Sequence, residues 1–96
     1  MQPGNFYHYF NRANNREKLF VDEDNYSYFL ELLKKYIPPV ADVYSYCLLP
    51  NHFHLVIKIK ELEELPEQIR TGKRKLWQPF SNLFNAYAKA FNKRNN

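Results

Sequence analysis

The sequence of 96 residues predicts an α+β fold in which helices cover one face of an antiparallel sheet. Two segments carry apolar residues at helical spacing, and three others are rich in aromatic and β-branched residues. Apolar residues make up 45% of the chain, so it can bury a core, while its length is too short for two separately cored units. We therefore expect a single domain over residues 1–96.

The first strand and the first helix are predicted within residues 6–37. Residues 6–12 are aromatic and favour a strand, and the polar run at 11–16 ends it as a turn. Acidic residues at 22–24 then open a segment that ends with Lys34 and Lys35 before two prolines, and this charge order suits a helix dipole. The apolar residues at helical spacing are Tyr26, Phe29, Leu30, Leu33 and Ile37.

A hairpin is predicted next, with strands at 42–48 and 52–60 and a short connection at 49–51. Alternation in the second strand separates two faces. The core face carries Phe53, Leu55, Ile57 and Ile59, and the other face carries His52, His54, Val56 and Lys58. We expect Cys47 to be a small core residue and His8, on the first strand, to be a structural residue.

The last third of the chain contains an acidic stretch at 61–67, a basic loop at 68–75 and a helix that starts at Pro79. One stripe of this helix is apolar: Phe80, Leu83, Phe84, Tyr87 and Phe91. The order strand, helix, strand, strand, helix is that of a split βαβ, ferredoxin-like sheet without its last strand. The face opposite the helices is then open, and the free edge of the sheet predicts a homodimer.

Composition excludes several classes of protein. The apolar runs are far shorter than a membrane-spanning helix, and the first ten residues lack the apolar centre of a signal peptide, so we expect no membrane partner. Cys47 is the only cysteine and cannot form an internal disulfide, which favours a reducing cytoplasmic compartment.

The charge is distributed unevenly along the chain, although the net charge is only +4. All ten acidic residues precede Arg70, whereas seven of the fourteen basic residues lie from Arg70 onward. Such a basic block lowers the free energy of a nearby polyanion by releasing its counterions, so nucleic acid is the favoured partner.

Two histidines one residue apart on a strand form the candidate metal site. His52 and His54 share a face at about 6 to 7 Å along the backbone, so their rings can converge on one divalent ion. Such an ion can activate a phosphoryl group. On spacing alone, an ordinary surface or packing role is the more frequent explanation of such a pair.

The hairpin tract at 46–56, YCLLPNHFHLV, resembles the His-hydrophobic-His motif of the HUH endonucleases. It is most similar to the single-tyrosine transposases of this family, which include the REP-associated tyrosine transposases. Residues 7–16 (YHYFNRANNR) and 84–94 (FNAYAKAFNKR) also look similar, so the resemblance covers nearly the whole chain. Its specific part is the hairpin tract.

The resemblance implies that His52 and His54 bind Mg²⁺ or Mn²⁺ and that the substrate is hairpin-forming single-stranded DNA. In this family the metal polarises the scissile phosphate, and a tyrosine hydroxyl attacks it to leave a 5′-phosphotyrosine and a free 3′-hydroxyl. The residues expected to bind DNA, from the charge pattern and the resemblance together, are Arg12, Arg16, Arg70, Lys73, Arg74 and Lys75.

The sequence departs from the family at the nucleophile. The Tyr-x-x-x-Asn-Pro segment that supplies the tyrosine and the third ligand in REP-associated relatives does not occur, and Tyr87 falls on the apolar stripe of a helix. We therefore expect the nucleophile to lie beyond Asn96 and this chain to be inactive in cleavage. Two alternatives stay open: a metal-free nucleic-acid-binding module of the same fold, and an unrelated metal-dependent hydrolase.

Overall fold

A computed structural model describes residues 1–13 and 18–95, and within these it shows three strands and three α-helices. A single 3-10 turn at Leu62–Glu64 links the last strand to the second helix. The strands are β1 (Phe6–Arg12), β2 (Ala41–Leu49) and β3 (His52–Ile59), and the helices are α1 (Glu23–Tyr36), α2 (Glu67–Arg70) and α3 (Gln78–Asn95). Arg16, which the sequence predicts to bind DNA, lies outside the described residues.

The strands form one antiparallel sheet in the order β1-β3-β2. Because β1 and β2 both run antiparallel to β3, they are parallel to each other with β3 between them, which is the split βαβ arrangement. The predicted α+β class is confirmed, and the order is compatible with a ferredoxin-like fold. The basic loop predicted at 68–75 begins instead as the last turn of the short helix α2.

The core lies between the sheet and the two long helices. The four apolar residues that β3 turns to this side are fully buried, as its alternation predicts. Phe29 of α1 packs on Phe53 of β3 with ring centroids 4.9 Å apart, and Phe80 of α3 packs on Tyr9 of β1 at 5.2 Å. No helix in the described part of the chain is long and apolar enough to cross a membrane.

The N-terminus of α1 is fixed by a capping box. The Asp22 carboxylate accepts a hydrogen bond from the Asn25 backbone N–H at 2.9 Å, and the buried Asn25 side chain accepts one from the Asp22 N–H at 3.2 Å. Arg94 near the end of α3 bridges Asp22 and Asp24, both at 3.2 Å. This arginine of the basic block therefore joins the two helices.

A β-bulge in β2 corrects the prediction for Cys47. The register shifts between Val43, which pairs with Ile57, and Ser45, which pairs with Val56. One extra residue reverses the side-chain alternation that follows it. Cys47 consequently pairs with His54 on the open face and is exposed rather than buried in the core.

Alanine substitutions on the two faces of β3 should reduce the stability of the fold by different amounts. Replacing the fully buried Phe53 with alanine (Phe53→Ala) should reduce the free energy of unfolding by about 3 to 5 kcal/mol, because it leaves a cavity between the sheet and α1. Val56→Ala, on the exposed face of the same strand, should cost less than about 1 kcal/mol. Urea denaturation measures both, and equal losses would contradict the assignment of the faces.

Candidate functional site

All three histidines of the chain meet on the open face of the sheet. His52 and His54 project from β3, and the pairing of Phe10 with His54 brings His8 of β1 beside them. The His54 ring stacks on the His8 ring with centroids 4.8 Å apart and meets the His52 ring edge-on at 4.9 Å. The pair predicted from the sequence is thus part of a larger cluster that includes His8.

His52 is oriented by the residue before it. Its Nδ1 lies 2.6 Å from Oδ1 of Asn51, which belongs to the two-residue turn between β2 and β3. An amide oxygen only accepts hydrogen bonds, so Nδ1 is the nitrogen that carries the proton. The lone pair of His52 is then on Nε2, where it is available to a metal ion.

His54 is oriented by His8 in a similar way. Its Nδ1 lies 2.7 Å from Nε2 of His8, so one of these two nitrogens donates and the other accepts. When His54 donates, its Nε2 carries the lone pair, as in His52. Burial lowers the pKa of His54 from its ordinary value of 6.5, and the charges of His8, His52 and Arg12 lower it further. The imidazole is therefore mostly neutral at pH 7, which is the form that binds metals.

The rings of His52 and His54 are direct neighbours, since they meet edge-on with their centroids 4.9 Å apart. Neighbouring imidazoles can contribute to one metal site when their lone pairs converge on the same point. Within the described residues, no group of three or more His, Cys, Asp or Glu side chains is arranged to hold a metal. An ion held by His52 and His54 alone would have two protein ligands, and other donors would have to fill the rest of its coordination shell.

The basic residues predicted to bind DNA separate into two groups. Arg12 is exposed and pairs with His52 across the β1–β3 ladder, so it borders the histidines. Arg70 donates from Nε to the Leu65 carbonyl oxygen at 3.0 Å, and Arg74 lines a cavity with Tyr36. Arg70 and Arg74 lie near the Ile59 end of β3, which is about 20 Å along the strand from His52. Exposed Lys73 and Lys75 belong to the same loop.

The described tyrosines do not contact the histidine pair. The hydrogen bonds and ring contacts of His52 and His54 join them to Asn51, His8, Phe10 and each other. Tyr87 is buried in the core, as its stripe predicts, and its hydroxyl donates to the Leu19 carbonyl oxygen.

The surroundings of the Tyr87 hydroxyl also oppose its ionisation. Burial raises its pKa strongly, and the nearby Asp22 and Tyr26 raise it further. A phenol with a raised pKa is a weaker nucleophile at neutral pH, because less of it is ionised. These observations argue against Tyr87 as the attacking group.

Comparisons with known proteins give no family assignment: no family model matches this chain, and no curated protein or solved structure matches it. The fold and the site together define an α+β domain that carries an oriented histidine pair on the open face of its sheet.

The cluster predicts a shift in the pKa of His54 when His8 is removed. His8→Ala should raise the pKa of His54 toward 6.5, because the substitution reduces both its burial and the repulsion of its protonated form. NMR titration of the ring protons measures this pKa. The control Cys47→Ala replaces the residue that pairs with His54 on β2, which is not among the causes of the shift, and should leave the pKa of His54 unchanged. A lower pKa in the His8 variant would contradict the arrangement.

Proposed function

We propose that this chain is the metal-binding and DNA-binding part of a single-tyrosine HUH transposase, a protein that cleaves and rejoins single-stranded DNA. The observation that carries the proposal is the orientation of His52 and His54, which lie side by side on the open face with both Nδ1 atoms in hydrogen bonds. The hairpin tract YCLLPNHFHLV supports the family assignment independently.

In this proposal His52 and His54 would hold Mg²⁺ or Mn²⁺, and Asn51 and His8 would orient them. The ion would supply Lewis-acid polarisation of the scissile phosphate. Arg12, beside His52, is placed to contact a phosphate of the same strand. Each side chain therefore has a role in binding or orientation.

The transfer step proposed for the whole protein is a phosphoryl exchange. A tyrosine oxygen forms a bond to phosphorus, the bond to the 3′ oxygen breaks, and the departing oxygen takes up a proton to become a 3′-hydroxyl. The nucleophile is not assigned to any described tyrosine, because none contacts the histidine pair.

The shape of the site favours a single strand over a duplex. The histidines lie on an open sheet face rather than in a cleft, and a flexible single strand can bring one phosphate onto such a face.

A second candidate function is a metal-free nucleic-acid-binding module of the same fold. It is favoured by the lack, within residues 1–13 and 18–95, of a cluster of three His, Cys, Asp or Glu ligands. The two candidates differ in one property, since only the first requires His52 and His54 for metal binding.

Calorimetric titration with Mn²⁺ distinguishes the two candidates. The wild-type chain should bind Mn²⁺, the double variant His52→Ala/His54→Ala should lose this binding, and Asn51→Ala should weaken it roughly tenfold by releasing the His52 ring. Lys58→Ala, on the same face of the same strand, is the control and should bind as the wild type does. Binding that persists in the double variant would contradict the metal site.

Repeating the titration with a single-stranded hairpin oligonucleotide tests the link to DNA. Mn²⁺ affinity should increase, because phosphate oxygens can fill coordination positions that the protein leaves to water. An unstructured oligonucleotide of equal length is the control for hairpin preference. Unchanged Mn²⁺ affinity with both oligonucleotides would count against a shared metal and DNA site.

Incubation with single-stranded DNA and Mn²⁺ tests whether a nucleophile is present. We expect no covalent protein–DNA adduct from the 96-residue chain, because none of its described tyrosines forms a hydrogen bond or ring contact with the histidine pair. Denaturing gel electrophoresis with end-labelled DNA detects such an adduct. An adduct would place the nucleophile within residues 1–96, and phenylalanine substitution of each exposed tyrosine would then identify it.

A further inference from the structure

We propose that unpaired DNA bases stack on two exposed aromatic sites of the open sheet face, one at Phe10 beside His54 and one formed by Phe6 and Tyr44. This inference rests on the proposed function, because it assigns to single-stranded DNA the face that carries the histidine pair.

Both ring sites lie on the same face as the histidines. Phe10 pairs with His54 across the ladder, and its ring lies 6.0 Å from the His54 ring. Phe6 pairs with Lys58 on that face and meets the Tyr44 ring edge-on at 5.0 Å. Phe6, Phe10 and Tyr44 are 56%, 60% and 60% exposed, so each offers ring surface to a ligand.

The bulge in β2 accounts for the position of Tyr44. Tyr44 is the extra residue between Val43 and Ser45, and its ring reaches Phe6 on the other edge strand. Bulges redirect side chains in this way, often next to functional sites. The second ring site therefore depends on a specific irregularity of the strand.

The charge of the face favours a nucleic acid over an apolar protein partner. Arg12 and Lys58 project from it, and neither forms an ion pair with a described residue. The acidic Asp42 of this face forms an ion pair with Lys60 at 3.6 Å. The Lys58 ammonium lies over the Phe6 ring, 5.8 Å from its centroid. Aromatic rings beside cations that form no ion pair are the combination that binds the bases and phosphates of a single strand.

The positions of the two ring sites indicate the path that the DNA strand would take across the sheet. Phe10 follows Phe6 by four positions in β1, a distance of about 13 Å along the strand. A base on Phe10 would bring its neighbouring phosphate to the histidine pair and Arg12, while a base on Phe6 would hold the strand further along the sheet. The DNA would thus run along β1 from the histidine pair toward the far end of β3.

The single cysteine provides a test of where DNA binds. Cys47 is exposed on the open face and pairs with His54. In EDTA, a short unstructured DNA oligonucleotide should slow alkylation of Cys47 at least several-fold. In the control variant Cys47→Ser/Tyr46→Cys, the thiol lies on the helix side of the same strand and should react at the same rate with and without DNA. Equal protection of both thiols, or of neither, would overturn the proposal.

Leucine substitutions test stacking itself by fluorescence anisotropy. Phe10→Leu and Phe6→Leu should each weaken DNA binding by about 5-fold to 100-fold without changing the salt dependence. Tyr46→Leu is the matched control, because Tyr46 is 54% exposed but pairs with Leu55 on the other face. Lys58→Gln should instead reduce the slope of log affinity against log salt by about 0.7.

The outcomes separate this inference from the proposed function. If Phe10→Leu and Phe6→Leu both bind DNA with wild-type affinity, the stacking proposal is wrong. It is also wrong if Cys47 is protected without DNA in a way that depends on protein concentration, because a second copy of the chain would then cover this face. The stacking measurements are made in EDTA, and the Mn²⁺ titration of the proposed metal site needs no DNA. A negative result for stacking therefore leaves the metal site tested separately, and a negative result for the metal site leaves stacking tested separately.

Discussion

The alternation of side chains along β3 is the constraint on which the rest of the structure depends. The strand lies at the centre of the sheet, where it buries four apolar residues against the helices and turns His52 and His54 the opposite way. A slip of one residue in its register would place the histidines in the core and the apolar residues in water. The same packing that stabilises the fold therefore fixes the histidine pair on the open face.

The edge strands complete the site with residues distant in sequence. β1 contributes His8, Phe10 and Arg12, which lie forty or more residues before their partners on β3. β2 contributes Tyr44 and Cys47 through its bulge. Positioning on strands restricts these side chains more than positioning on loops would, which suits the proposed binding of an ion and a phosphate at one place.

Much of this arrangement can be predicted from the spacing of residues in the sequence. The rest depends on how the strands pair and how the helices pack. The two faces of β3, the charged ends of α1 and the stripe that buries Tyr87 are visible in the sequence because each depends on residue spacing. The contact of His8 with His54 depends on the register between strands, and the exposure of Cys47 depends on one inserted residue. The bridge from Arg94 to the α1 cap likewise requires the helix packing.

Paramagnetic broadening of NMR signals by Mn²⁺ tests the central claim most directly, because it locates the ion without any substitution. At substoichiometric Mn²⁺, with Mg²⁺ as the diamagnetic reference, the ring signals of His52 and His54 should broaden first, followed by those of His8 and Phe10 on the same face. Residues 61–67 hold four glutamates and provide the competing site. Broadening centred on that stretch, with the histidine signals unchanged, would contradict a metal site at the histidine pair.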